Sequence, residues 1–511
     1  MKIQVTKNTI QGTIWGVVGK LLSIIFPFVI RTIIIRKIGV EYAGLGSLFV
    51  SILQVLNVAE LGFGTAIVFS MYKPVSEDDT IKLSALLKYF RKIYYIIGFG
   101  IFAAGLMVMP FLKDLIYGDV PSDVNLYVLY LLYLLTTVST YLFFGYTHSI
   151  LSAYQREADN NKISMAVMLL TYLLQIIFLL LFENIYIYTL LLPISSITIN
   201  IIRYFYVKKK YPLIKCEGNI TIEEKKRINS DVRALFVFKM GGAVVNSLDS
   251  IVISIFLGLV MVSNYNNYYS IVNALNSMIL IIFSTLTAGI GNRLLLNSRN
   301  ANKADFDFIL FINGLIVTVF SVCLFSLFQD FICVWVGQKY LFDFKIMCLF
   351  VLYFFCNMIR RTVLMYRDAA GLWKQNVFQP IVSSLLNITL NIILISFIGI
   401  YGVLISTIIS IVLIDIPWES TNFFKIVFKS KPIIYFSKIL YYLLICIIGC
   451  LTCCFVFYFL NISNQWISLF VKLLLSFLVG TLLFSFLTLF QRNNIKKLVV
   501  FAFRRTKKNH I

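Results

Sequence analysis

Asn8-Thr9-Ile10-Gln11-Gly12-Thr13-Ile14-Trp15-Gly16-Val17-Val18-Gly19-Lys20 opens a stretch that continues through Arg31-Thr32-Ile33-Ile34-Ile35-Arg36-Lys37-Ile38-Gly39. It then enters Ser47-Leu48-Phe49-Val50-Ser51-Ile52-Leu53-Gln54-Val55-Leu56-Asn57-Val58-Ala59-Glu60-Leu61-Gly62-Phe63-Gly64. Both halves are apolar runs long enough for a helix to cross a bilayer, yet Lys20, Arg31, Gln54, Asn57 and Glu60 lie inside them. A charge at membrane depth is costly, so by default it faces a partner or a watery cavity. Lys20 and Arg31 are eleven residues apart, about 1100° of helical rotation, or three turns plus roughly 20°. They therefore share a face with Ser23 and Pro27. Ser47, Ser51, Gln54, Asn57 and Glu60 follow at spacings of three and four, a second single stripe. Two adjacent helices with polar stripes, the first cationic, predict one wall of a polar cavity.

The rest of the chain repeats this apolar character. It is 59% hydrophobic and 13% charged, against about 25% charged in an average soluble domain. We read an all-α polytopic membrane protein of fourteen spans, near 10–35, 43–70, 93–112, 125–147, 163–182, 186–207, 234–257, 265–290, 306–328, 343–365, 380–398, 402–416, 438–460 and 467–490. The first run is too long for a cleavable signal and lacks a small-residue cleavage site. The nine cysteines fall mostly within apolar runs and read as small helix residues, neither a disulfide framework nor a metal site.

The net charge of +22 would suit nucleic acid, but its distribution argues for topology instead. With both termini cytoplasmic, the inner segments carry Lys73, Lys82, Lys88, Arg91 and Lys92, then Lys208 to Lys210, and the tail Arg504-Arg505-Thr506-Lys507-Lys508. The outer loops keep Arg36, Lys37, Lys113, Lys339 and Lys345. This is the positive-inside pattern, and no nucleic-acid partner is needed to explain it. Inside, Thr221-Ile222-Glu223-Glu224 matches a helix capping box, and Ser76-Glu77-Asp78-Asp79 reads as another helix start, leading into an interfacial stretch.

A shift of 219 residues places Lys20 on Lys239, Arg31 on Ser250 and Gly39 on Gly258. In each copy a Lys near the inner end leads through an apolar run to a Gly, and a polar-striped helix follows, with Asn266, Ser270, Asn273 and Ser277 in the second. The expected organisation is a six-helix lobe over 1–207, a cytoplasmic linker over 208–233, and a second six-helix lobe over 234–420. Two extra helices and a basic tail occupy 421–511. The two lobes are parallel repeats.

At this point the chain resembles the Wzx-type polysaccharide and O-antigen flippases of low-GC Gram-positive bacteria, in the multidrug/oligosaccharidyl-lipid/polysaccharide (MOP, MATE-like) exporter superfamily. The residues carrying the resemblance are Asn8-Thr9-Ile10, Trp15-Gly16, Gly19-Lys20, Arg31 to Tyr42 and Ala59-Glu60-Leu61-Gly62-Phe63-Gly64. Later blocks are Asp249-Ser250-Ile251-Val252-Ile253-Ser254, Tyr265-Asn266-Asn267-Tyr268-Tyr269 and Asp368-Ala369-Ala370-Gly371-Leu372-Trp373. The resemblance implies a two-lobed transporter of the bacterial cell membrane that moves a polyprenyl-diphosphate-linked oligosaccharide from inner to outer leaflet by alternating access. It implies membrane lipid and lipid-linked glycan as partners, with polymerases and glycosyltransferases nearby, and a product in capsule, exopolysaccharide or teichoic acid.

A diphosphate needs cations, and Lys20, Arg31, Lys239 and Arg360 are the candidates. Sugars need amide donors and acceptors, for which Gln54, Asn57, Asn266, Asn273 and Asn387 are the candidate lining. Glu60 and Asp249 either couple transport to H⁺ or Na⁺ or pair with a neighbouring cation. No cofactor, metal or catalytic set is expected. A MATE-type multidrug exporter and a lipid II flippase are the nearest alternatives. A polysaccharide polymerase or ligase would need an acid/base set or a sizeable outer loop, and the outer loops have neither.

Overall fold

The computed structural model describes residues 5–57, 63–118, 120–372, 374–460 and 462–491; side chains are described outside 5–14, 63, 65–66, 231–246, 288, 374 and 490. Among the described residues all regular structure is helical. The helices are α1 (Val5–Ile33), α2 (Val40–Leu56), α3 (Phe63–Ser76), α4 (Thr80–Val108), α5 (Leu126–Ser139), α6 (His148–Ala153), α7 (Glu157–Phe182), α8 (Ile185–Lys210) and α9 (Ile222–Leu257). They continue as α10 (Leu259–Leu296), α11 (Arg299–Trp335), α12 (Phe344–Ile359), α13 (Arg361–Ala369), α14 (Gln379–Ile398), α15 (Ile400–Ser410), α16 (Ile416–Phe423), α17 (Ile433–Tyr458) and α18 (Gln465–Leu487). Among the described residues, eleven helical segments are long and apolar enough to cross a membrane. Three further expected spans fall on shorter apolar helices: α2, α5 and the Ser247–Leu257 part of α9.

Polar side chains start these helices where the sequence places Asn, Asp, Ser or Thr before an apolar run. Asn125, Asn184 and Asn464 each accept from two backbone N–H groups of the helix that follows, satisfying donors the first turn leaves open. Thr221 accepts from the Glu224 N–H at 3.2 Å and begins α9, which runs unbroken into the span it precedes. Asp79 caps α4 through the Lys82 N–H at 2.8 Å. The stretch expected to lie along the interface is instead the first turns of α4, because no breaker separates Thr80 from the apolar residues beyond.

The chain divides into two compact units, Met1–Asn266 and Asn267–Ile511. In the first, α1 packs on α7, α7 on α8, α8 on α5, and α2 on α9. In the second, α11 is central, with α12, α17 and α18 against it, and α14 pairs with α15. An aromatic cluster knits the second unit: Phe306 meets Tyr366, Phe423, Phe424 and Phe428 at ring-centre distances of 5.1 to 5.6 Å. These offset and edge-on contacts hold helices together where lipid supplies no hydrophobic driving force.

Candidate functional site

The stripe on α1 sets the site in the first unit. Pro27 lies within α1, four residues on from Ser23, so the Ser23 carbonyl lacks its usual intrahelical donor. Ser23 Oγ itself donates to the Lys20 carbonyl at 2.8 Å. Lys20 is exposed. One turn beyond Pro27, Arg31 reaches across two other helices: Nη1 donates to Ser47 Oγ on α2 at 3.2 Å, and Nη2 to the carbonyl and Oγ of Ser263 on α10 at 3.0 and 3.3 Å. The chain then widens into a π-helical turn, Ile34–Ile38, and stops at Gly39 with φ 150°. A Cβ there would come within 3.1 Å of Glu41 and Tyr42.

The second copy of the repeat has the same construction. Asn266 Nδ2 donates to Ser250 Oγ at 3.1 Å. Subtracting 219 from each number gives Ser47 and Arg31, so the two hydrogen bonds occupy equivalent places. Gly258 ends α9 at φ 81°, as its counterpart Gly39 ends the first helix. Beside it, Tyr265 OH donates to Asp249 Oδ2 at 2.9 Å, and Asp249 is buried.

These two copies meet at one end of the first unit. A Cβ on Gly44 would lie 2.2 Å from the Leu259 carbonyl oxygen, so α2 and α10 touch backbone to backbone. The segment after α4 is tied to α9 beside them: the Tyr117 N–H donates to the Ser254 carbonyl at 2.9 Å, and Ser254 Oγ to the Leu115 carbonyl at 2.6 Å. Along α2 toward the other end, Gln54 is exposed and Asn57 accepts from Tyr141 OH. Glu60 lies outside the described residues, as does the side chain of Lys239.

In the second unit Asn273 is exposed on α10, whereas Arg360 and Asn387 differ from the expectation of an open lining. Arg360 bonds Asp415 and lies 3.8 Å from Glu419, while Arg367 lies 3.6 Å from the same Glu419. Gln379 also donates to Asp415. The two carboxylates are 7% and 1% exposed, so the cation is spent neutralising them. Asp415 closes a π-helical turn, Ile411–Asp415. Neither acid stands out in the sequence; their spacing of four, at the end of an apolar run, is the available signal. Asn387 is fully buried and donates to Thr407 Oγ1 at 3.0 Å, pinning α14 to α15, since an amide in hydrocarbon must bond a neighbouring helix.

The second unit also holds an apolar groove of about 520 Å³ between α10, α11 and α18. Its walls are side chains such as Leu275, Leu324, Phe331, Trp466, Phe470 and Phe477, with no charged residue among them.

The polysaccharide biosynthesis protein family matches this chain over residues 9–288. No curated protein matches it. Among solved structures, the chain is similar to an inward-facing multidrug resistance MATE family transporter of the MOP superfamily, at 12% identity and TM-score 0.63, over 80% of this chain and 98% of that one. It is similar to the lipid II flippase MurJ in an inward closed conformation, at 18% identity and TM-score 0.63, over 94% and 99%. A Vibrio cholerae MATE transporter aligns at 16% identity and TM-score 0.50, over 80% and 94%. At these identities the likeness is one of fold: an all-helical, multi-pass membrane architecture of the MATE and MurJ kind.

Proposed function

Because the chain belongs to the polysaccharide biosynthesis protein family, we propose that it is a flippase which carries a polyprenyl-diphosphate-linked oligosaccharide from the inner to the outer leaflet of a bacterial cell membrane. The observation that carries this reading is the apolar groove on α18. A long prenyl chain needs an apolar track, and a small polar cargo does not.

The headgroup falls to the first unit. Arg31 supplies a guanidinium suited to a phosphate oxygen pair, with Lys20 exposed on the same stripe and Gln54 available to sugar hydroxyls. Transport proceeds by alternating access between repeated lobes, 1–207 and 234–420, with both termini in the cytoplasm. In this reading the Gly44–Leu259 contact belongs to the outer seal. The coupling ion, H⁺ or Na⁺, is left open by this reading, as is the destination of the glycan.

A lipid II substrate follows the same diphosphate logic, and the likeness to MurJ over 94% of the chain favours it as the second reading. One experiment separates translocation from other steps. In cells depleted of the protein, lipid-linked glycan is quantified in total extracts and with an outer-leaflet-specific probe. Accumulation of glycan hidden from the probe supports the flippase; normal exposure without polymerisation would assign the defect to a later enzyme.

A further inference from the structure

The α4 helix carries a second cationic stripe. Lys88, Arg91 and Lys92 stand at its inner end, and Tyr95, Ile96 and Phe99 continue the same face at spacings of three and four. The segment between α8 and α9 folds back over this face. Ser84 Oγ accepts from the Lys215 N–H at 2.9 Å, Lys88 Nζ donates to Asn219 Oδ1 at 3.3 Å, and Lys82 pairs with Glu224 at 2.6 Å. Tyr89 OH donates to Asn229 on α9 at 2.9 Å, and Lys225 sits 6.0 Å from the Tyr89 ring centre. Between helix and segment lies a cavity of about 770 Å³.

Lys88, Arg91, Lys92 and Lys225 line it, and no carboxylate does. Among the described residues none of the four forms an ion pair, although Lys82 alongside is paired. Below the cations, Ile96 and Phe99 are each 61% exposed. Lys88 and Phe99 are eleven residues apart, about 16 Å along the helix axis, so the site runs from the headgroup layer into hydrocarbon. Snorkelling alone would explain cations beside lipid. It would not explain a walled cavity whose wall is tied down at both edges.

We propose that this cavity binds one anionic phospholipid of the inner leaflet, its phosphate among Lys88, Arg91, Lys92 and Lys225 and one acyl chain along Ile96 and Phe99. Basic pockets at the cytoplasmic ends of membrane helices hold phosphate headgroups in this way. The lipid ties α4 to the entry of α9, the joint between the two repeats. The leaflet rests on the orientation proposed above; the binding itself does not.

The test uses the full-length protein in zwitterionic detergent, with phosphatidylglycerol and phosphatidylcholine offered together and retained lipid counted by native mass spectrometry. Wild type is expected to keep one phosphatidylglycerol in preference to phosphatidylcholine. Lys88→Gln with Lys92→Gln is expected to weaken it roughly thirty-fold, at about 1 kcal/mol per cation. The exposed pair Lys208→Gln with Lys209→Gln, at the end of α8, is the charge control and is expected to change nothing. Phe99→Ala, at an exposed position that does not bear on folding, is expected to weaken the phospholipid but not salt-dependent capture of inorganic phosphate. Equal loss in the two lysine pairs, equal retention of the two lipids, or full displacement of the lipid by excess glycerol phosphate would each overturn the proposal.

Discussion

Gly44→Ala tests the end-on contact that joins the two repeats. The added Cβ would stand 2.2 Å from the Leu259 carbonyl oxygen and 2.9 Å from its carbon, where ordinary contact begins at 3.4 Å. Both obstructing atoms are backbone, so no side-chain rotation relieves them, and α2 must retreat from α10 by about 1.2 Å (3.4 − 2.2). Overpacking of this kind costs about 1–3 kcal/mol. The Arg31 bonds to Ser263, already 3.0 and 3.3 Å long, stretch with it, and charged hydrogen bonds are worth about 1.5–3 kcal/mol each. A loss of about 3 kcal/mol shifts the closed-to-open ratio at this end by roughly a hundred-fold. Hydrogen exchange reads it beside the contact, because the Tyr117 N–H is bonded to the Ser254 carbonyl of α9 and the Tyr117 carbonyl lies against Gly258, the residue before Leu259. Exchange at Tyr117 should accelerate up to a hundred-fold in Gly44→Ala and stay unchanged in Gly100→Ala, where a Cβ meets nothing within 4 Å. Wild-type protection at Tyr117 in Gly44→Ala would refute the idea that this backbone contact holds the end shut.

Three other perturbations are expected to separate structure from transport. Arg360→Met should lower thermal stability by about 3–5 kcal/mol, since it strands buried Asp415 and Glu419; adding Asp415→Leu should recover much of that loss in a melting experiment on purified protein. Widening a groove wall's side chain, Leu324→Trp, should reduce transport of the prenyl-linked substrate while leaving phosphatidylglycerol retention at α4 intact, measured on the same preparation. The hydrogen bond from Lys82 holds the Glu224 carboxyl below the usual carboxylate range. A depressed carboxylate contributes stability that is fully present above its ordinary value of about 4.3 and is lost as pH falls through the lowered value. Exchange protection around 211–225 should therefore be constant from neutral pH down to about 4.3 and fall as pH drops from there through the lowered value, and Glu224→Gln should abolish the dependence.

What is legible in the sequence is what short-range periodicity encodes. Apolar runs mark helices because each spanning segment must satisfy its own backbone, and the Thr221 cap and the Gly39/Gly258 stops are local conformational demands visible in a few residues. The site is legible only in part, because partners across long separations leave no periodic trace. Arg360 meets Asp415 from 55 residues away, so a cation that reads as free for substrate is already neutralised. Asn387 reads as lining, yet it bonds Thr407, and Asn391 and Ser406 extend the same network between α14 and α15. The wall over Lys88 and Arg91 comes from a segment with no helical period, so it registers only as inner positive charge.

The repeat itself poses the sharpest question about Arg31. Its partner position in the second copy is Ser250, and there the same interhelical link is made by two neutral groups, Ser250 and Asn266. A neutral pair therefore suffices to tie the first helix of a repeat to the second, without the cost of a cation at membrane depth. That cost is borne in only one copy, which points to a role for the charge beyond packing. Transplanting the neutral pair isolates this role, because Arg31→Ser with Ser47→Asn rebuilds in the first copy the hydrogen bond of the second. The double variant should fold and insert, but it keeps only the 31–47 link and loses the two Arg31 bonds to Ser263, so its thermal stability should fall by about 1.5–3 kcal/mol. Transport should nevertheless fall at least ten-fold, whereas Arg31→Lys, which keeps the charge but not the fork, should retain part of it. Wild-type transport by the double variant would reduce Arg31 to a helix tie, and the diphosphate would have to be met by Lys20 or Lys239 instead.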